Sequence, residues 1–381
     1  MMREADRLSS VKEYYFSRKL REVAQLKASG KPIINLGIGS PDLAPAPEVI
    51  QALNEASLLH SSHGYQSYQA RPELRQAMSD FYKTHFKVDL NPDNEILPMM
   101  GSKEAIMHIS MAFLNPGDEV LIPNPGYPTY SSVTELVGAT ARVYTLNEST
   151  NWSPDLKQLA AQDLSKVKIM WVNYPNMPTG ANASIALFEE LVSFAKQHEI
   201  LLINDNPYAF ILNDNPQSLL EIEGALDHCM ELNSLSKAFN MAGWRVGMLL
   251  GNAQRIKSVL KVKSNMDSGM FLGIQYGAIA ALNLPNTWFE KINKVYAVRR
   301  DLAEQILDHL GCVYDKNQVG MFIWAKCGSE DQAKDLVDKL LYQYDVFITP
   351  GMIFGSTGNS YIRISLCSKE EDFKEVLKRI G

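Results

Sequence analysis

The sequence has few cysteines, no excess of basic residues and no long apolar run, and each absence excludes a class of protein. Its four cysteines show no CxxC spacing, so we expect reduced, mostly buried thiols rather than a disulfide framework or a zinc site. The 37 Lys and Arg residues against 43 Asp and Glu give a net charge of −6, which disfavours a nucleic acid partner. The seven histidines have no spacing that suggests a metal site.

No uninterrupted apolar run approaches the ~18 residues that a membrane helix needs, so we expect no membrane contact. The N-terminus is charged and lacks the apolar core of a signal peptide. We therefore expect a cytoplasmic protein.

The length of 381 residues is enough for two domains. In the middle of the chain, short apolar runs alternate with helical patterns, which predicts a mostly parallel sheet covered by helices on both faces. The predicted strands are 95–99 (EILPM), 119–122, 140–145, 167–173, 200–204, 229–233 and 246–250. The predicted helices are 46–59, 71–87, 102–114, 127–137, 184–198 and 252–263.

The two ends of the chain have a different pattern. An amphipathic helix is predicted at 14–29, and the C-terminal part reads as α+β. Its predicted elements are a helix at 286–310, a strand at 319–326, a helix at 330–342, strands at 346–349 and 360–366, and a helix at 369–380. We predict a large domain over 46–285 and a smaller domain built from 1–45 and 286–381.

The segment SLSKAFNMAGWR places Lys237 just after a predicted strand, between small and apolar residues. A lysine is most often a solvated surface cation. Its flanks here fit a partly desolvated amine better, and such an amine has a lowered pKa and can form a Schiff base with a carbonyl.

Three other segments follow predicted strands. Asp205 ends a strand, where ligands bind in an open α/β sheet, although an Asx turn or a helix cap would also explain it. Ser102 and Lys103 begin a helix, whose free N–H groups could hold a phosphate or simply be capped by the serine. The stretch 173–180 (NYPNMPTG) is a rigid polar turn or an ordinary Pro/Gly loop.

Together these segments resemble the class I/II aminotransferases, which are pyridoxal-phosphate enzymes of fold type I. The resemblance runs in order through LGIGSPD, YQSYQARPELR, GSKEA, NPGDEVLIPNPGYPTY, NYPNMPTGA, NDNPY, NSLSKAFNMAGWRVG and YIRISL. It implies a large domain with a mostly parallel seven-stranded sheet flanked by helices, plus a smaller α+β domain. GSKEAIMHISMAFLNPGDEVLIPNPGYPTY and SKAFNMAGWRVG are most similar to the alanine, methionine and LL-diaminopimelate aminotransferase branch.

The resemblance implies a role for each residue that would face the cofactor ring. Lys237 is implied to form the Schiff base with pyridoxal 5'-phosphate and to shuttle the proton. Asp205 is implied to pair with the protonated pyridine nitrogen. Tyr208 and Asn176 are implied to donate hydrogen bonds to the ring 3′-oxygen. Tyr127 is implied to stack on the ring, with a place in the core as the alternative.

The phosphate is implied to lie against Ser102, Lys103, Ser234 and Arg245. A helix N-terminus with a guanidinium is a suitable site for a dianion.

On the substrate side, Arg363 is implied to bind the α-carboxylate bidentately, with Gly39 and Asn176 beside it. Tyr65 is implied to reach the phosphate of a neighbouring subunit, which means a homodimer with shared active sites. Ala70 stands where a glycine is usual, so the loop after Tyr65 could be placed differently.

The substrates are implied to be a small amino acid and a 2-oxo acid such as 2-oxoglutarate. The stretch 264–269 (SNMDSG) has no arginine for a second substrate carboxylate and carries Asp267, which we expect to repel one. We therefore expect a neutral donor such as alanine or methionine. LL-diaminopimelate and aspartate are the alternatives, and Lys103 is a further cation near the site.

Two other activities use the same residues or the same fold. A C–S lyase would use the same site residues as an aminotransferase, because both reactions pass through the same carbanion. A non-catalytic regulator would need an added DNA-binding domain, and we expect no room for one before residue 14.

Overall fold

The computed structural model describes residues 3–8 and 15–381. Its strands are β1 (Ile34–Asn35), β2 (Ile96–Met99), β3 (Glu119–Asn124), β4 (Thr140–Thr145), β5 (Val167–Val172), β6 (Leu201–Asp205), β7 (Cys229–Ser234), β8 (Gly247–Gly251), β9 (Val313–Tyr314), β10 (Phe322–Lys326), β11 (Val346–Phe347), β12 (Thr349–Pro350) and β13 (Tyr361–Ser365). Its α-helices are α1 (Tyr15–Ala28), α2 (Pro47–Ser57), α3 (Pro72–Phe86), α4 (Ser102–Phe113), α5 (Thr129–Leu136), α6 (Leu156–Ala160), α7 (Ile185–Gln197), α8 (Leu235–Ala238), α9 (Ala253–Lys263), α10 (Leu272–Leu282), α11 (Thr287–His309), α12 (Glu330–Gln343) and α13 (Glu370–Ile380).

A seven-stranded sheet forms the centre of the molecule, in the order β2-β8-β7-β6-β5-β3-β4. The strands from β7 to β4 are parallel to their neighbours, and β8 pairs antiparallel with both β2 and β7. The prediction of a mostly parallel seven-stranded sheet is confirmed.

Helices cover both faces of this sheet, so the central strands are buried on both sides. Along β5, Ile169 and Trp171 face the core under α4, α5 and α9, whereas Met170 and Val172 face the core under α3, α7 and α10. Burial on both faces explains why β5, β6 and β7 read as continuous apolar runs.

A four-stranded antiparallel sheet, in the order β12-β13-β10-β9, lies in the C-terminal part. The N-terminal strand β1 pairs in parallel with β11, so the segment leading to Gly39 is attached to this C-terminal part. The division of the chain at residues 46 and 286 stays a prediction.

Most predicted elements are present within a few residues of their expected bounds. The predicted helix at 14–29 is α1, and residue 14 itself lies outside the described residues. The predicted strand at 319–326 starts only at Phe322, because Gly320 has a φ of +87° and interrupts the extended backbone. Helix α10 was not predicted. Among the described residues no helix is both long and apolar enough to cross a membrane.

Candidate active site

A cavity of about 500 Å³ lies at the carboxyl ends of β6 and β7, beside β10 and β13. Polar ligands bind at this end of an open α/β sheet. The predicted site residues that line it are Gly39, Ser102, Lys103, Tyr127, Asp205, Tyr208, Ser234, Lys237, Arg245 and Arg363. The structure thus brings together residues from distant parts of the chain. Asn176 and Tyr65 do not line the cavity.

Lys237 lies in the short helix α8, which begins immediately after β7 and is capped by Ser234. Its Nζ donates a hydrogen bond of 2.6 Å to the carbonyl oxygen of Gly39. Burial lowers the pKa of this amine, since desolvation disfavours its charged form. The structure therefore excludes a solvated surface cation, and the amine has the character that Schiff-base formation needs.

Asp205 is the last residue of β6, and its carboxylate is buried. Oδ2 accepts a hydrogen bond of 2.9 Å from the Tyr130 hydroxyl, whereas Oδ1 is buried and has no partner. Burial raises the pKa of Asp205 to about 7. Neither oxygen accepts from a nearby main-chain N–H as an Asx turn or helix cap requires. A buried acceptor without a donor fits a cationic ring nitrogen placed against it.

Tyr208 lies just beyond β6, three residues after Asp205, and Asn176 lies on the loop after β5. Asn176 Oδ1 accepts a hydrogen bond of 2.8 Å from the Thr179 hydroxyl, which leaves Nδ2 buried without a partner. Burial raises the pKa of the Tyr208 phenol, so its hydroxyl stays protonated. Tyr208 lines the cavity and can donate to a ligand oxygen there, whereas Asn176 has an unused donor but does not line the cavity.

The start of α4 forms a polar corner with Arg245. Gly101 precedes the helix with a φ of +91°, and a Cβ there would lie 2.0 Å from Arg245 Nη2. The lack of a side chain at residue 101 lets the guanidinium lie against the helix start. The Ser102 hydroxyl is buried without a partner. A helix N-terminus, a hydroxyl and a guanidinium fit a phosphate dianion.

Arg363 lies in β13 between two aromatic rings. Its Cζ is 3.9 Å from the centre of the Phe322 ring and 4.7 Å from that of Phe354. Nη2 donates to the carbonyl oxygen of Gly37 at 2.8 Å, and Nε is buried without a partner. Burial lowers the pKa of the guanidinium to about 10, which leaves it charged at pH 7. It can therefore bind a carboxylate.

Tyr127 lies between the cavity and the core, and its stacking on the cofactor ring stays a prediction. Its ring lines the cavity and also packs against the core, with its centre 5.6 Å from that of Tyr130 in an edge-on contact. Tyr130, which sequence reasoning missed, stacks on Trp171 and donates to Asp205. Tyr127 lies just before α5 and Tyr130 in its first turn, so no helix spacing in the sequence linked the two tyrosines.

Asp267 does not act as a free negative charge, which corrects the expectation drawn from SNMDSG. Its carboxylate lies 2.7 and 2.9 Å from the Lys263 ammonium, and both side chains are almost fully buried. Neither residue lines the cavity. One ligand atom each of Glu104, His108 and Asp267 lie within 4.8 Å of one another, so Asp267 belongs to a charged cluster beside α4. The paired carboxylate gives no reason to exclude a substrate with a second carboxylate.

Tyr65 is 92% exposed and does not line the cavity of its own chain. The loop that follows it contains Ala70 at a φ of +57°, in the left-handed region that favours glycine. Ala70 therefore keeps the backbone shape expected of a glycine at this position.

The chain matches the family described as aminotransferase class I and II over residues 31–380. Similar curated proteins include the LL-diaminopimelate aminotransferases of Dehalococcoides mccartyi and Halothermothrix orenii, each 38% identical over 100% of this chain and 98% of the relative. The LL-diaminopimelate aminotransferase of Aquifex aeolicus is 37% identical over 100% of this chain and 99% of its own.

Solved structures give the same result. Substrate-bound BacF from Bacillus subtilis is 36% identical, with a TM-score of 0.94 over 100% of this chain and 97% of that one. An aminotransferase from Staphylococcus aureus is 27% identical, with a TM-score of 0.89 over 99% and 98% of the two chains. The chain therefore belongs to the class I and II aminotransferases, enzymes that depend on pyridoxal phosphate.

Proposed function

We propose that this aminotransferase transfers the amino group of LL-diaminopimelate to 2-oxoglutarate. The full-length identity to relatives named for that donor supports the proposal. Arg245 is proposed to bind the phosphate and Arg363 the α-carboxylate. Lys103 lines the same cavity, and we propose that it also contacts the distal carboxylate that both substrates have.

Bound pyridoxal phosphate supplies an electron sink for the electron pair released when the substrate Cα–H bond breaks. Lys237 is the proposed proton carrier, because its amine has a lowered pKa and lies in the cavity wall. Asp205 holds a proton on the ring nitrogen through its unpaired Oδ1, and Tyr130 fixes the other carboxylate oxygen. Tyr208 would donate to the ring oxygen, and Asn176 would do so through its unpaired Nδ2.

The substrate is proposed to bind across the mouth of the cavity. Arg363 binds the α-carboxylate, and its position is fixed by the Gly37 carbonyl and two aromatic rings. The backbone at Gly39 closes beside it. This orientation places the Cα–H bond of the substrate near Lys237, whose amine already contacts Gly39.

A neutral donor such as methionine or alanine is the second candidate. Phe16, Ile353 and Phe354 line the cavity, and these apolar surfaces suit an uncharged side chain. Asp205 is the one carboxylate in the described lining, so a distal ammonium has no acidic partner there within this chain.

The deciding experiment is kcat/KM for LL-diaminopimelate, methionine, alanine and aspartate, each with 2-oxoglutarate. We expect LL-diaminopimelate to exceed the neutral donors by tenfold or more, which is ~1.4 kcal/mol. Methionine or alanine equalling it would support the second candidate instead. Ammonia and pyruvate formed from a cysteine thioether such as cystathionine, without any 2-oxo acid, would indicate a C–S lyase.

Replacing Lys103 tests the distal carboxylate separately. Lys103→Met should lower kcat/KM for LL-diaminopimelate and 2-oxoglutarate about tenfold and leave that for alanine within a factor of about two. Lys157→Met, at an exposed position of α6, is the matched control and should change neither. An equal loss for all donors would place Lys103 at the phosphate rather than at the substrate.

We propose a homodimer with shared sites. Exposed apolar residues cluster on the segments around Tyr65 and Phe271, whose contact is seen in the ring pair His63 and Phe271 at 6.3 Å. The exposed members are Leu58, Leu59, Tyr65, Tyr68, Met266 and Phe271. A large exposed apolar patch is typical of a protein interface.

Mixing two inactive variants tests this arrangement. Lys237→Ala chains and Tyr65→Ala chains should regain activity when their subunits exchange, because one site of each hybrid then has two intact halves. A monomer in sedimentation at working concentration would contradict the proposal. For the compartment we propose the cytoplasm, in which the four free, buried cysteines stay reduced under ordinary conditions.

A further inference from the structure

Two of the four cysteines lie opposite each other at the edge of the four-stranded sheet. In the β9–β10 pair Val313 lies opposite Lys326, so the next pair in the same register is Cys312 and Cys327. Their main-chain N–H groups donate to other parts of the chain and not to each other. They therefore form a non-hydrogen-bonded pair, in which facing side chains approach most closely.

The two sulfur atoms are 3.1 Å apart, and both cysteines are free. A disulfide bond is about 2.05 Å long, so the sulfurs need to approach by roughly 1 Å. Side-chain rotation provides such a movement while the strands stay paired.

We propose that Cys312 and Cys327 are a redox modification site, where a peroxide converts the two thiols into a disulfide. The Cys312 thiolate attacks one oxygen of the peroxide, the O–O bond breaks, and a sulfenic acid and water are formed. Cys327 then attacks the Cys312 sulfur, the S–O bond breaks, and a second water leaves. Two thiols are oxidised by two electrons, and hydrogen peroxide is reduced to two molecules of water.

The surroundings favour this pair over the other two cysteines. The Cys327 thiol donates to Cys312 and so lowers the pKa of Cys312, which increases its thiolate fraction. Cys312 and Cys327 are themselves 7% and 9% exposed, but they lie at the edge of the sheet, and their neighbours Gly311, Val313 and Gly328 are exposed. By contrast, burial raises the pKa of Cys229 and of Cys367.

The test treats the full-length holoenzyme with increasing hydrogen peroxide and then counts thiols in denaturant. The count should fall from four per chain to two, and the intact mass should fall by that of two hydrogen atoms. Digestion without reductant should yield one linked peptide joining residues 312 and 327, and a dithiol should restore all four thiols. The midpoint of thermal unfolding should rise in the oxidised protein and return on reduction.

Cys327→Ser and Cys229→Ser are the matched variants. Cys229→Ser should still form the linked peptide, whereas Cys327→Ser should not form it and should carry Cys312 as a sulfenic or sulfinic acid. The proposal would be overturned if all four thiols remained at a peroxide concentration that oxidises the exposed methionine side chains of the protein. A link that involves Cys229, Cys367 or a second chain would also overturn it, and these outcomes are readable from the unsubstituted protein alone.

Discussion

Two buried carboxylates lie on neighbouring strands, and they differ in how many hydrogen-bond donors surround them. Glu231 on β7 is completely buried and accepts hydrogen bonds from five donors. These are the Tyr82 hydroxyl (2.8 Å), the Ser218 hydroxyl (2.8 Å), Asn204 Nδ2 (3.0 Å), Asn206 Nδ2 (3.4 Å) and the Leu219 N–H (2.9 Å). Asp205 on β6 accepts from the Tyr130 hydroxyl through one oxygen and has no partner at the other.

Lys263, which is buried, and Lys237, which is partly buried, differ in the same way. Lys263 is paired with Asp267, whereas Lys237 contacts a carbonyl oxygen and lines the cavity. Burial alone thus does not separate a functional charge from a structural one. The two kinds of charge are distinguished by the number of partners that the fold already supplies, because a buried group that lacks a partner is stabilised when a ligand provides one.

The largest expected effect is that of Lys237→Ala, which removes both the covalent attachment and the proton carrier. Turnover should be lost while the fold and part of the cofactor affinity remain, since the corner formed by Ser102 and Arg245 is untouched. Steady-state transamination, circular dichroism and cofactor absorbance measure these properties. Activity within tenfold of the unsubstituted enzyme would show that Lys237 is not the reacting lysine.

Lys263→Ala is the control for the other buried lysine. It leaves Asp267 buried without its partner, so the free energy of unfolding should fall by about 3–5 kcal/mol. At a temperature where the variant is folded, kcat should stay within about threefold. A large loss of kcat with unchanged stability would remove the distinction drawn between the two lysines.

Next in size is Asp205→Ala, which should lower kcat by ~10³-fold or more because the ring nitrogen loses its charge partner. Glu231→Gln is the matched change on the adjacent strand. It should destabilise the protein by about 3 kcal/mol with only a small effect on kcat. Equal effects of the two substitutions on kcat would contradict the comparison.

The smallest expected effect is a pH dependence of the apoenzyme. The pKa of Asp205 is about 7 in the folded protein against 3.8 for an ordinary aspartate, so the folded state binds the proton more tightly. The stability due to the neutral carboxyl is fully present below pH 3.8 and is lost as the pH rises through 7.

The difference in unfolding free energy between the unsubstituted apoenzyme and Asp205→Asn isolates this contribution. From pH 5 to pH 8 the unsubstituted protein should lose about 3 kcal/mol relative to the variant, as measured by urea unfolding at several pH values. Glu231, whose charge adds to the effect of burial on the pKa of Asp205, is retained in both proteins. A difference independent of pH would show that Asp205 has an ordinary pKa.

Much of the central sheet was predictable because its strands are buried on both faces and therefore read as apolar runs. The ordered motifs also placed Lys237 and Asp205 at the carboxyl ends of β7 and β6, where the structure has them. Helix α10 escaped prediction because LGIQYGAIAAL is apolar on nearly every side and gives no amphipathic stripe.

Besides helix α10, the sequence patterns did not predict which side chains become partners. Asp267 was read as an isolated charge, although Lys263 stands four residues earlier, a spacing that pairs side chains on a helix. Tyr130 and Glu231 carry no motif of their own, and their roles depend on which strands become neighbours. Such contacts are decided by tertiary packing, which local sequence does not encode.

The close packing around Gly39 has a consequence for how such a chain can evolve. A Cβ at residue 39 would lie 2.4 Å from the Phe322 ring, and that ring stacks on Arg363. A larger residue can therefore replace Gly39 only after a smaller residue has replaced Phe322. The replacement of Phe322 in turn removes one of the two rings that hold Arg363. The order of mutations is constrained, and these three positions should vary together among descendants of this sequence.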